Sequence, residues 1–216
     1  MNQLKQKGFT LVEIAIVLVI VGLLIGGVLK GQEMITNAKL KRIESDNAGL
    51  AAGMFSYQDR YLQLPGDDSQ ADERFSVYTP GDAVVGNGFG TIGGDWNEPS
   101  TGDVITNLTA ETGLFFAHLR ASGLVPGDGI DDTKPSNAYG GLIGIQDGSL
   151  DIGGHVIIFG AIDGPIAKIL EGRLDDGDPS DGRIQANETG VSMDPGTGST
   201  AVAYDDAKRY DMAFRL

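Results

Sequence analysis

The feature that most constrains the fold is an uninterrupted apolar run near the start of the chain. It extends from Phe9 to Leu29, is 21 residues long, and contains Glu13 as its only charged residue. As a helix, such a run would be about 30 Å long, which matches the hydrocarbon core of a bilayer. It is apolar on every side, so it needs lipid or other helices around it. We therefore predict a transmembrane helix over residues 9–29.

The helical pattern continues beyond this run. No proline occurs from Gly31 to Leu62, and apolar residues recur there at spacings of seven, four, three and four. These residues are Ile43, Leu50, Met54, Tyr57 and Tyr61. Such spacing is typical of one face of an α-helix. Pro65 then stops the pattern, because proline cannot continue the helical hydrogen-bond ladder. We predict one long helix over residues 9–62, with an amphipathic second half that docks on a sheet.

The remainder, residues 63–216, is predicted to be a globular α+β domain. Two segments have helix boundary signals, Thr109–Leu124 and Asp163–Leu174. The continuous apolar run His155–Ile162 is the best strand candidate. Shorter strand candidates are Gly141–Ile145, Arg183–Ala186, Thr200–Tyr204 and Met212–Leu216. The 33 glycines of the chain predict long loops between these elements.

Composition narrows the function. The net charge is −14, with 30 acidic and 16 basic residues, which argues against a nucleic-acid partner. Cysteine is absent, so disulfides and thiolate chemistry are excluded. His118 and His155 are isolated from each other in the sequence and are interpreted as structural. No constellation of catalytic residues stands out, and we predict that the protein is not an enzyme.

Glu13 raises the question of what compensates a charge in a membrane segment. A carboxylate inside hydrocarbon costs about 2.5–3.5 kcal/mol on insertion scales. No lysine or arginine of the same segment can reach it, since Lys7 precedes the run and Lys30 is too far along. If the chain were cut between Gly8 and Phe9, the new α-amino group could pair with Glu13 of another copy. The charge would then favour assembly over the isolated chain.

A family resemblance rests on these residues. Lys7-Gly8-Phe9-Thr10-Leu11-Val12-Glu13, followed by about twenty apolar residues, resembles the processing signature of type IV pilins and type II secretion pseudopilins. Three later stretches resemble blocks found in one broad group of pilin-like proteins: Tyr61–Asp67, Phe116–Leu124 and Leu174–Gly182. The resemblance implies a long helix packed on a C-terminal domain with an antiparallel β-sheet. It also implies a structural subunit of a type IV pilus or pseudopilus filament.

Processing and partners follow from the resemblance. A prepilin peptidase would cut after Gly8, remove residues 1–8 as a leader, and methylate Phe9. Glu13 and Phe9 would then serve assembly into a helical homo-oligomeric filament, with an inner-membrane assembly platform and the lipid bilayer as further partners. No cofactor is required. The lack of cysteine removes the C-terminal disulfide loop of type IVa pilins, and the sequence does not choose between a pilus and a pseudopilus.

Two orientations of the chain in the membrane are possible from the sequence. Lys5 and Lys7 precede the apolar run, whereas four basic residues follow it, namely Lys30, Lys39, Lys41 and Arg42. By the positive-inside rule alone, the C-terminal domain would be cytoplasmic. The resemblance implies the opposite, namely a single-pass inner-membrane protein whose C-terminal domain lies outside the cytoplasm. The filament would then lie in the periplasm or on the cell surface, and we adopt this orientation.

An acidic cluster suggests a cation site. Asp175, Asp176, Asp178 and Asp181 surround Gly177, and calcium prefers six to eight oxygen ligands. The resemblance adds that some pseudopilins hold a structural calcium in this domain. The spacing is not that of an EF-hand, however, and Asp-Gly and Asp-Pro are also ordinary turn sequences. A calcium site and a solvated turn both stay open.

A different class of function is also possible. The glycine-rich loops and Trp96 could make the chain a membrane-anchored module that binds a glycan or another surface without polymerising. Retention of residues 1–8 in the mature protein would favour that alternative. For Trp96 itself, packing within its loop is the simpler interpretation.

Overall fold

The computed structural model describes residues 10–105, 110–201 and 203–216. The elements, in chain order, are α1 (Leu11–Tyr61), α2 (Ala71–Arg74), α3 (Glu111–Ala121), β1 (Ile143–Ser149), β2 (Ile152–Asp163), α4 (Gly164–Leu174), β3 (Ile184–Glu188) and β4 (Arg209–Arg215). The chain divides into two compact units, a first that ends at Lys41 and a second that runs Arg42–Leu216. A long apolar helix followed by an antiparallel sheet confirms the predicted α+β class.

The helix α1 is 51 residues long. It ends where Leu62 takes a left-handed backbone conformation, with φ of 58°. The N–H of Leu62 still donates a hydrogen bond of 2.8 Å to the carbonyl of Gln58, and Pro65 follows three residues later. The predicted long helix is therefore confirmed, although its predicted first residue, Phe9, lies outside the described residues.

The first part of α1 keeps its apolar side chains uncovered. Every residue from 11 to 29 is exposed, and Leu11 and Leu23 retain 91% and 73% of their accessible surface. Within the described ranges, α1 is the helix whose length and composition would allow it to cross a membrane. A stretch of this kind is stable in lipid or against other helices, but not in water.

The last part of α1 belongs to the second unit and is amphipathic, as predicted. Met54 and Tyr57 are buried there. The Tyr57 hydroxyl donates a hydrogen bond of 2.7 Å to Asp68, and its ring stacks on His118 of α3 at 6.3 Å between centroids. The buried face of this part of α1 is therefore the face that the spacing of its apolar residues predicts. Tyr57 was expected to dock on the sheet, but these partners lie in α3 and in the segment that follows α1.

The sheet has the strand order β1-β2-β4-β3, and all neighbouring strands are antiparallel. β1 and β2 form a hairpin, whereas β4, the last strand in the chain, lies between β2 and β3. Phe214 of β4 is opposite Ile157 on one side and Ile184 on the other. One face of the sheet contributes to a buried apolar cluster of Trp96, Leu150, Ile152, Val156, Ile158, Met193 and Ala213.

Most predicted elements of the second unit are found, with shifted ends. The helices α3 and α4 and the strands β2, β3 and β4 overlap their predicted segments. The strand predicted at Gly141–Ile145 begins at Ile143 and continues to Ser149, and the short helix α2 was not predicted.

The strand predicted at Thr200–Tyr204 is wrong, because none of the described residues there has strand structure. Asn187 explains this: its Oδ1 accepts the backbone N–H of Thr200 at 2.7 Å and the Thr200 hydroxyl at 3.0 Å. A side chain therefore occupies the backbone donor that a sheet partner would use.

Trp96 packs directly on the sheet because two of the sheet residues that it contacts are glycines. Its exposed fraction is 7%, and its backbone N–H donates to Oε1 of Gln146 at 3.1 Å. A Cβ added at Gly144 of β1 would lie 2.2 Å from the Trp96 carbonyl oxygen, and one added at Gly160 of β2 would lie 2.7 Å from the indole ring. The local packing role proposed for Trp96 is thus what the structure shows.

Candidate functional site

Glu13 lies in the first turn of α1, where it closes a capping box with Thr10. The backbone N–H and the hydroxyl of Thr10 each donate to Oε2 of Glu13 at 2.8 Å. In return, the backbone N–H of Glu13 donates to the Thr10 hydroxyl at 3.3 Å. This reciprocal pattern of Thr-x-x-Glu satisfies helix donors that otherwise lack partners.

The capping box gives the Glu13 carboxylate hydrogen-bond partners within its own chain. The carboxylate of Glu13 was expected to have no partner in an isolated chain, and it has two donors within its own first turn. Both donors are neutral, so they stabilise the oxygen without neutralising its charge. A cation from another molecule would still find a negative charge at the edge of the apolar segment.

The proposed processing site is adjacent to this cap. Gly8 and Phe9 lie outside the described residues, so cleavage between them stays a prediction. Thr10 is the first described residue and is exposed.

Comparison with known protein families identifies the class of this amino-terminal segment. Residues 3–29 match the family model of the prokaryotic N-terminal methylation motif. This motif is the signature of type IV pilins and pseudopilins. Together with the exposed apolar helix and the antiparallel sheet, it supports a pilin-like protein anchored in a membrane. Comparisons with curated proteins and with solved structures each gave no match.

The acidic cluster after α4 has a different membership from the predicted one. Asp175 and Asp176 each bring a carboxylate oxygen within 4.8 Å of the other and of Glu171. Asp178 and Asp181 are not part of this group, which we call the α4 carboxylate group. Glu171 was not selected from the sequence, although it precedes Asp175 by one helical turn. That i, i+4 spacing was the available signal.

Burial and neighbouring charges distinguish Glu171 from the other two acids. Its side chain is completely buried, whereas Asp176 is exposed. Burial, together with the nearby charges of Asp175, Asp176 and Asp178, raises the pKa of Glu171 to about 8, although the hydrogen bond from Tyr204 acts in the opposite direction. The site therefore disfavours the ionised form of Glu171 unless a positive charge is present.

His118 is a structural histidine, as predicted. Its Nδ1 accepts the backbone N–H of Gly66 at 2.9 Å, and its Nε2 contacts the carbonyl of Val84 at 2.8 Å. With Nδ1 as acceptor, Nε2 carries the proton and donates it to Val84. Both ring nitrogens are thus used by backbone groups. Complete burial lowers the pKa of His118 to about 4.

This arrangement predicts a pH dependence of stability. The folded pKa lies below the ordinary value of 6.5, so the unfolded chain binds the proton first as the pH falls from about 6.5 to 4. The free energy of unfolding should drop over this window by up to about 3 kcal/mol more in the wild type than in His118→Asn. Urea unfolding of the full chain in detergent, followed by Trp96 fluorescence, measures this difference. The same change in the free energy of unfolding with pH in both proteins would contradict this prediction.

Proposed function

We propose that the chain is a structural subunit of a type IV pilus or pseudopilus filament. The single observation that carries this proposal is the methylation motif over residues 3–29, which includes the exposed apolar residues 11–29 of α1. In the proposed filament, that part of α1 leaves the bilayer and packs against the same part of other copies. The role is assembly rather than catalysis.

The proposed life cycle has two stages. The chain is first held in the inner membrane by α1, with the acidic C-terminal domain outside the cytoplasm. A prepilin peptidase then removes residues 1–8 and methylates Phe9, and an inner-membrane platform adds the mature chain to the filament. The new amine at Phe9 of one copy pairs with Glu13 of another, whose charge the capping box does not neutralise.

The mature amino terminus tests this proposal. After co-expression with a prepilin peptidase, mass spectrometry of the full chain should show a protein that begins with N-methylated Phe9. The same chain made without the peptidase should begin at Met1 and serves as the control. A chain that still begins at Met1 in its native host, and stays monomeric in the membrane, would overturn the proposal.

The alternative, a glycan-binding module that uses Trp96, gains no support from the site. The indole is buried between its loop and the sheet, where it covers Gly160. Stacking on a sugar requires an open aromatic face, and Trp96 in this arrangement offers none. We therefore prefer the filament subunit.

A further inference from the structure

Three large apolar side chains of the second unit, those of Phe55, Leu62 and Phe89, are exposed on one surface. Leu62 keeps 84% and Phe89 keeps 83% of its accessible surface. All three line the same depression, whose volume is about 370 Å³. They come from α1, from the residue that follows it, and from the loop between α2 and α3. We call this continuous apolar surface the Phe89 patch. Such surfaces on folded proteins are often sites of interaction.

Leu62 keeps an unfavourable backbone conformation without any gain in packing. Its φ of 58° lies in the left-handed region, which disfavours a bulky L-residue and which glycine commonly occupies after a helix. Its side chain is almost fully exposed, so contacts within the described part of the chain do not compensate this strain. Strain that the fold itself does not use is a reason to infer a function. A leucine at this position indicates that its side chain contacts another molecule.

Phe89 lies at the tip of a loop whose backbone is fixed. The N–H groups of Gly88, Phe89 and Gly90 donate to the carboxylate of Asp67 at 2.6, 3.2 and 2.6 Å. Asp67 is itself buried, and these charge-assisted hydrogen bonds satisfy it. The loop therefore presents Phe89 to solvent in one position, which reduces the entropy that a partner must remove on binding.

The size of the Phe89 patch indicates an assembly in which each molecule makes several contacts. The exposed parts of its three side chains amount to roughly 400 Å². A stable pair of proteins buries about 800 Å² on each partner, so the patch alone is too small to hold two copies together. In a filament each copy contacts several others, and a contact of this size adds to the packing of α1.

A filament also requires that the Phe89 patch contacts a different surface. Two identical patches in contact form a closed dimer, whereas a filament grows through contacts between unlike surfaces. Met34 and Ile35 of α1 supply an unlike surface. Of the described residues after position 29, they are the most exposed large apolar ones outside the patch. They follow the predicted transmembrane residues 9–29, so the hydrocarbon core of the bilayer does not cover them.

We propose that the Phe89 patch of one copy packs on Met34 and Ile35 of α1 in another copy. The inference rests on the proposed filament and adds a contact to the packing of residues 11–29. Both surfaces are apolar and exposed in the single chain. Their contact removes apolar area from water and so compensates the strain at Leu62.

Filament counts and thermal unfolding of three variants test the patch. Phe89→Ser should enter the membrane, begin at methylated Phe9 and keep the wild-type Tm, because its exposed side chain adds little to the fold. Its filament yield should fall about fivefold through the lost apolar contact. Leu62→Gly should also lower the yield and should keep the Tm, since glycine accepts the left-handed backbone. Val191→Ser, at an exposed apolar position outside the patch, is the matched control with wild-type yield.

Crosslinking identifies what the patch contacts. The chain has no cysteine, so Gln58→Cys, beside the patch, and Met34→Cys can be combined and joined by a short bifunctional maleimide in purified filaments. The double variant should give a series of covalent multimers. Each single variant, and Val191→Cys combined with Met34→Cys, should give none.

Three results would overturn the proposal. Multimers from Gln58→Cys alone would mean that the patch packs on itself, so the assignment to α1 would be wrong. A wild-type filament yield from Phe89→Ser would exclude the contact and leave the filament proposal intact. A wild-type chain that makes no filaments would overturn both proposals.

Discussion

The Glu13→Gln chain should enter the membrane normally and yield at least about tenfold fewer filaments, because loss of only 1.4 kcal/mol per subunit contact lowers an equilibrium constant tenfold. Glutamine retains the acceptor that Thr10 uses in the capping box. It removes only the charge, and with it the attraction that we propose for the amine at Phe9 of another copy. Membrane fractionation and counting of filaments in a host with the assembly machinery measure the two effects separately.

Two matched variants separate charge from capping. Thr10→Val removes the capping hydroxyl and keeps the charge of Glu13, so it should assemble at close to the wild-type level. Glu33→Gln removes a carboxylate from the same helix, where it pairs with Lys30 at 2.8 Å, and it should also assemble. Normal filaments from Glu13→Gln combined with failure of Thr10→Val would show that Glu13 acts only as a helix cap.

The second large effect is expected at Gly144. Gly144→Ala should destabilise the sheet domain by about 3 kcal/mol or more, because overpacking of this kind forces the backbone to move. The added Cβ would meet the carbonyl oxygen of Trp96 at 2.2 Å, and a backbone atom cannot rotate away as a side chain does. Urea unfolding followed by the fluorescence of Trp96 should show a lower midpoint with an unchanged dependence on urea.

Gly153→Ala is the control for that substitution. Gly153 lies in β2, and a Cβ added there meets no atom within 4 Å. Its unfolding midpoint should stay within about 0.5 kcal/mol of the wild type or rise, since alanine restricts the unfolded chain. If Gly144→Ala were as stable as Gly153→Ala, the close contact between Trp96 and the sheet would be wrong.

Elements whose signal lies in local sequence were predictable. The helix α1 is long and periodic, and β2 is a continuous apolar run, so both were found with small errors at their ends. Thr200–Tyr204 misled because its β-branched and aromatic residues resemble a strand. Its backbone donor at Thr200 is taken by Asn187, a residue that only the folded chain brings near.

The sites were predictable to different degrees for the same reason. The methylation motif is contiguous, so residues 3–29 could be recognised from sequence. The capping box of Thr10 and Glu13 was equally local, because Thr-x-x-Glu is its sequence signature. Glu171 was missed because its importance depends on its burial and on its contact with Tyr204, neither of which spacing reveals. The packing of Trp96 on Gly144 likewise depends on two residues that are far apart in the sequence and meet only in the folded chain.

The position of β4 in the middle of the sheet has a consequence for biosynthesis. The apolar first part of α1 is translated before the sheet, whereas β4, the strand that joins β2 to β3, is translated after both of them. The sheet is therefore complete only after residues 209–215 have been translated. A chain interrupted before that point would keep the apolar part of α1 but would lack the strand that joins the β1–β2 hairpin to β3.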